Sequence, residues 1–136
     1  MNPVITKELP LIFYQKLSEL FYAMASDEQK IGKKEYLRLR KLVSDQVKNL
    51  NPEICPFRKD ATKKLEIVFN WFDYEELDPI DCYENFASYY KKSSKEFTSS
   101  QKKFILETSE VIAALFKTPD SAENRFLIKL KQLLDQ

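Results

Sequence analysis

The sequence predicts an all-α bundle of about six helices. Three observations carry that expectation. Apolar residues recur at spacings of three and four along most of the chain, the mark of helices with a buried face. One glycine, Gly32, in 136 residues leaves little material for the tight turns of a hairpin-rich β fold. The expected helix starts also carry capping residues. A chain of this length fits one domain, 1–136, and buries about two thirds of its extended surface.

The first helix is expected from Pro10 to Ser26, on the stripe Phe13, Leu17, Leu20 and Met24, with Phe21 alongside. The second carries Leu39, Leu42, Val43, Val47 and Leu50; it begins after Gly32 and ends before Asn51-Pro52. The stretch NPEICPFRKD, with two prolines, reads as a loop. The third helix carries Leu65, Val68, Phe69 and Phe72, with Ile67 and Trp71 on its flank. Being apolar on two sides, it is expected at the centre, with Trp71 or Phe72 as a keystone of the core. The fourth carries Tyr83, Phe86, Ala87 and Tyr90. Adjacent Tyr89 and Tyr90 cannot point the same way, so one ring should be half exposed. The fifth carries Phe104, Thr108, Val111 and Leu115, and the sixth Phe126, Leu127, Leu130, Leu133 and Leu134.

Starts are marked in the second half of the chain. Asp78-Pro79 sets a capping acid before a proline at the first helical position. Thr98 with Gln101 forms a capping box. The sixth helix has two candidate starts, Thr118-Pro119 and Asp120 with Glu123.

Composition excludes several chemistries. There is no histidine, hence no Ser-His-Asp or Cys-His catalysis and no histidine proton switch. Without glycine-rich loops there is neither a P-loop nor a dinucleotide fingerprint. Cys55 and Cys82 are too few for a zinc site and are expected as free thiols in a reducing compartment. The opening MNPVITKELPLIFYQKL lacks the layout of a signal peptide. The longest apolar run, Val111 to Phe116, is too short to span a bilayer, so a cytoplasmic location is expected.

Twenty-two bases against 21 acids give a net charge of +1, but the signs are segregated. Lys30 to Lys48 holds seven bases and two acids; Asp73 to Glu84 holds six acids and no base. A solvated helix surface explains both runs, and two partner-facing patches of opposite sign are the functional alternative. The near-neutral total and the absence of a binding motif argue against nucleic acid.

The chain opens and closes on similar helix–loop–helix units. Pairing Glu35 with Glu123 brings Leu39 over Leu127 and Leu42 over Leu130, a faint internal repeat. The two hairpins should then pack together, with Phe21 and Met24 near Val111 and Leu115. The stretch Ala25-Ser-Asp-Glu-Gln-Lys-Ile31, followed by Glu35, resembles the first repeat of the TerB-like (tellurite-resistance) family, whose pattern is Ala-x-Ala-Asp-Gly-Lys-Ile, three residues, then Glu. The resemblance implies a helical, non-catalytic domain tied to bacterial stress, with an acidic cluster associated with divalent cations. This chain departs from the pattern at Glu28-Gln29, where the family has Asp-Gly, and at Thr118-Pro-Asp120-Ser.

The candidate metal ligands are therefore Glu28, Glu35, Asp120 and Glu123, with Asp27 beside them. Hard cations need several converging oxygens, which two adjacent acidic loops could supply. Capping explains the same residues more simply: Glu35 falls at the third position of a helix capped by Gly32, and Glu123 does so if Asp120 is the cap. The run Asp73, Glu75, Asp81, Glu84 imitates a calcium loop, but Leu77 and Asp78 stand where a ligand and a glycine are needed. No cofactor is expected. The expected function is a non-catalytic module, a stress-response or interaction domain whose partner is another protein, with cation response as a subordinate possibility. The alternative is a small helical enzyme or ligand-binding domain with an unrecognised pocket.

Overall fold

Ten consecutive residues, Leu17 to Ser26, are buried along the second half of helix α1 (Leu11–Ser26), and only Glu19 among them is charged. A helix buried on every side must be surrounded. The computed structural model describes residues 9–27, 29–49, 58–116 and 124–135. Within them α1 packs against α2 (Lys33–Lys48), α3 (Arg58–Trp71), α4 (Pro79–Ser93), α5 (Ser99–Leu115) and α6 (Arg125–Leu134), most extensively against α4. A 3₁₀ turn at Ser94–Glu96 joins α4 to α5, and no strand occurs among the described residues.

The centre of the bundle is α1, not α3 as the sequence suggested. The second apolar side of α3 faces solvent: Trp71 is 63% exposed and Ile67 37%. Its inner side, Ala61, Leu65, Val68 and Phe69, is buried, and Phe72 beyond its end is only half-buried. Trp71 is therefore no keystone. The paired tyrosines divide as expected, with Tyr90 buried and Tyr89 half-buried.

Local signals place the helix ends. Asp27 takes the left-handed conformation (φ 45°) after α1, and its N–H donates to the Ala23 carbonyl. The Asp78 carboxylate accepts from the N–H groups of Ile80 (2.8 Å) and Asp81 (3.2 Å), with Pro79 opening α4. Thr98 and Gln101 cap α5 reciprocally, each side chain meeting the other's N–H at 3.1 Å. Helix α6 begins after both of its expected starts, Thr118-Pro119 and Asp120 with Glu123, which lie outside the described residues. Asn124 caps it, accepting from Phe126 and Leu127, and donates from Nδ2 to the Met24 carbonyl at 2.9 Å. One side chain thus starts α6 and fastens it to the end of α1.

Aromatic contacts tie the outer helices together. Phe97, between the 3₁₀ turn and α5, has its ring against Phe13, Phe86, Tyr89 and Tyr90, nearest Tyr90 at 4.9 Å. Phe126 of α6 stacks on Tyr83 of α4 at 5.4 Å. Helices α1 and α5 pack together, and Phe21 meets Phe104 edge to face at 6.4 Å. Leu115, expected in that contact, is exposed, because α5 ends there and its buried residues are Ile105, Thr108, Ser109 and Ile112.

Alanine at Phe21, which is fully buried, should cost about 3–5 kcal/mol. Alanine at the mostly exposed Trp71 should cost less than about 1 kcal/mol. Chemical denaturation of the two variants checks this, and equal losses would return Trp71 to the core.

Candidate functional site

The loop between α1 and α2 carries the residues that resemble a cation-binding repeat. It is organised by backbone hydrogen bonds: Gln29 N–H donates to Ser26, and Asp27 N–H to Ala23. Glu35 lies at the third position of α2, and its Oε1 accepts from the Gly32 N–H at 3.1 Å. The carboxylate is turned back onto its own helix start, as the capping expectation has it. Gly32 suits that closure, because a Cβ there would meet the same Oε1 at 3.0 Å. Of the other candidates, Glu28, Asp120 and Glu123 lie outside the described residues. Among the described residues no group of three or more Cys, Asp or Glu side chains converges as a metal site would.

The acidic run from Asp73 to Glu84 does not form a calcium loop. Asp73 Oδ1 accepts from the Glu75 N–H at 3.1 Å, and the Glu76 N–H donates to the Asp73 carbonyl. Asp78 caps α4, so residues 79 to 84 are already helix and cannot wrap an ion. All six carboxylates lie at the surface, and none makes an ion pair among the described residues. This turn is docked on the start of α2. Tyr36 stacks on Tyr74 at 5.5 Å, its hydroxyl donates to the Phe69 carbonyl at 2.8 Å, and Lys30 Nζ donates to the Glu75 carbonyl at 3.1 Å.

Beside the turn lies the outer face of α2 and α3. Arg40 of α2 donates to Asn70 Oδ1 of α3 at 2.8 Å and sits over the Phe69 ring. Leu37, 49% exposed, is one turn before Arg40, and Trp71 follows Asn70 directly. Lys33, Lys34, Leu37 and Lys41 form one outward stripe on α2 at helical spacing. Trp71 is the sole aromatic among the large apolar side chains exposed in the described residues. It was legible as apolar but not as outward-facing.

The other chemical groups are sequestered. Glu19 is buried between α1 and α4; its Oε2 accepts from Asn85 Nδ2 at 2.7 Å, and Lys16 lies 3.4 Å from Oε1. Sequence reasoning passed over Glu19, and the signal was a lone acid in an otherwise uncharged decapeptide. Cys82 is a buried free thiol, pushed up to about 12 by burial first and the Glu19 carboxylate second, which makes it a poor nucleophile at neutral pH. Burial also pushes the Tyr36 and Tyr83 hydroxyls up to about 12.

No family model, no curated protein and no solved structure matches this chain.

Two measurements follow from this arrangement. Glu35→Ala should cost about 0.5–1 kcal/mol, equally with and without millimolar calcium or magnesium. A loss seen only with the cation present would instead make Glu35 a ligand. The pH dependence follows from the raised thiol and phenols, whose ordinary values are 9.0 and 10.0. Above about pH 9 the unfolded chain releases protons that the folded chain keeps. Stability should therefore be full below that point and fall as pH rises toward the folded values. With no histidine to titrate, thermal melts should be nearly flat from about pH 6 to 8.5. Cys82→Ala should remove the earliest part of the alkaline loss, and a profile identical to the parent's would discount the thiol.

Proposed function

We propose that this chain is a non-catalytic helical interaction module that binds another protein through the exposed side of α3. The observation that carries the reading is Trp71, left 63% exposed while the bulk of Phe13, Tyr14, Phe21, Tyr22, Tyr36, Phe69, Phe86 and Tyr90 is buried. Tryptophan is enriched at the energetic centres of protein interfaces. Here it stands one turn after Ile67, which is also exposed, and two residues before Asp73, where the acidic run begins. A place in a bacterial stress response of the tellurite-resistance type draws support from the resemblance of Ala25 to Ile31 and Glu35 to the TerB-like repeat. Cation response draws none from Glu35, whose carboxylate is held by the Gly32 N–H.

The test is affinity capture from the native host with tagged wild-type chain and tagged Trp71→Ala, after matching their melts. A protein retained by the wild type and lost at least about tenfold by the variant, equivalent to about 1.4 kcal/mol, is the expected result. Equal capture by both would remove this face from the function.

A further inference from the structure

Lysines collect at the end of the bundle opposite Trp71. Between residues 85 and 106 the chain holds five lysines, Lys91, Lys92, Lys95, Lys102 and Lys103, and one acid, Glu96. We propose that this end docks on the surface of an anionic phospholipid bilayer, with its lysines at the headgroups and Ile12 pressed beneath them. The attachment is independent of the protein-binding face at Trp71.

Three contacts run in reverse order along α1 and α4, so the two helices are antiparallel. The Tyr22 hydroxyl donates to the Leu77 carbonyl just before α4, Glu19 accepts from Asn85 in its middle, and Phe13 meets Phe97 beyond its end. Lys102 Nζ lies 5.8 Å over the Tyr90 ring, which sets the start of α5 against the end of α4. The start of α1, the end of α4, the 3₁₀ turn and the start of α5 therefore share one end of the bundle. Ile12 stands two turns before Glu19, and Lys92 two turns after Asn85. Seven residues bring a helix back to within about 20° of the same face, so Ile12 and Lys92 flank one seam between α1 and α4. Ile12 is 40% exposed, Lys92 is exposed, and Tyr89 is half-buried one turn before Lys92.

The charge at this end is unspent. Lys91, Lys92, Lys95 and Lys103 are exposed and make no ion pair among the described residues. The dipole of α4 accounts for Lys91 and Lys92 at most, because Lys95 and Lys103 lie beyond its last turn. An ammonium on a flexible stem suits a diffuse layer of headgroup charge. Nucleic acid and paired carboxylates favour the guanidinium fork, and no arginine lies between residues 85 and 106. The exposed isoleucine and half-buried tyrosine beside the lysines are the apolar and amphipathic side chains that settle at a bilayer interface. Each lysine near an anionic surface strengthens binding about fivefold, so four supply on the order of several hundredfold. The acidic turn from Asp73 to Asp78 lies at the opposite end of α4, whose 15 residues span about 22 Å, two Debye lengths at about 0.1 M salt. Glu84, the last of the acidic run, stands two turns short of Lys91.

Co-sedimentation of the purified chain with vesicles tests the proposal. At about 0.1 M salt the chain should bind vesicles of equal parts phosphatidylcholine and phosphatidylglycerol, ignore phosphatidylcholine alone, and come off by about 1 M salt. Lys91→Gln, Lys92→Gln and Lys95→Gln together should weaken binding at least about tenfold while keeping the parent's melt. Lys33→Gln, Lys34→Gln and Lys41→Gln remove the same charge from α2 and should leave binding within about threefold of the parent. Trp71 is the only tryptophan and closes α3 just before the acidic turn, so its emission should not shift as the vesicles bind. No binding to the anionic vesicles, equal losses from the two triple variants, or a blue shift of Trp71 would each overturn the proposal. A chain that ignored the vesicles and bound duplex DNA through Lys91, Lys92 and Lys95 would overturn the lipid surface and make nucleic acid the ligand of this end.

Discussion

The structure depends on surrounding α1. A stretch with one charge in ten residues has no face to give to water, so the other helices are arranged as its walls. The exception, Glu19, shows how strict the requirement is. A buried carboxylate must find partners, and it finds Asn85 on α4 and Lys16 one turn back. The same bond fixes the register of α1 against α4, its most extensive neighbour. At the other end, Asn124 donates to the Met24 carbonyl and accepts from the first N–H groups of α6. Two asparagines thus join distant parts of the chain to the central helix, across sequence separations of 66 and 100.

What could be read from the sequence was what depends on residues within one helical turn. Helix periods, the Asp78-Pro79 start and the Thr98–Gln101 box involve partners three or four residues apart, and each is present. Glu35 belongs to the same class, because its capping role is set by its distance from Gly32. What escaped depends on the third dimension. Ile67 and Trp71 are as apolar as Val68 and Phe69, and periodicity cannot say which side of a two-sided helix meets the core. Several acceptors in the sequence could start α6, and Asn124, which caps it, also reaches the Met24 carbonyl, about a hundred residues away. Phe97 gave no periodic signal at all. It stands alone in a polar stretch, yet four rings gather on it.

The acids divide by what they do. Glu35, Asp73 and Asp78 hold backbone N–H groups at a helix start or a turn, where a carboxylate also meets the positive end of the helix dipole. A carboxylate so engaged has given up the geometry that would converge on a cation. The carboxylates of Glu75, Glu76, Asp81 and Glu84 hold no hydrogen bond or ion pair among the described residues, so their charge acts at long range. With Lys33 and Lys34 nearby and also unpaired, the surface keeps a dipole that a near-neutral chain does not need for solubility alone.

Magnitudes show what the exposed tryptophan can and cannot do. A fully buried tryptophan removes about 150–250 Å² from water, which at about 25 cal/mol per Å² is worth about 4–6 kcal/mol. Trp71 has already buried about a third of its surface, so about 2–4 kcal/mol remains for association. A micromolar complex needs about 8 kcal/mol net of the entropy lost on pairing. The ring alone therefore does not make an interface. Ile67, exposed one turn before Trp71, must be covered in the same event, and charge must offset part of the ordering cost. That requirement favours a partner surface that is apolar at its middle and basic around it. An apolar groove with no charge would strand the acidic turn beside it, and a purely basic surface would leave the ring in water.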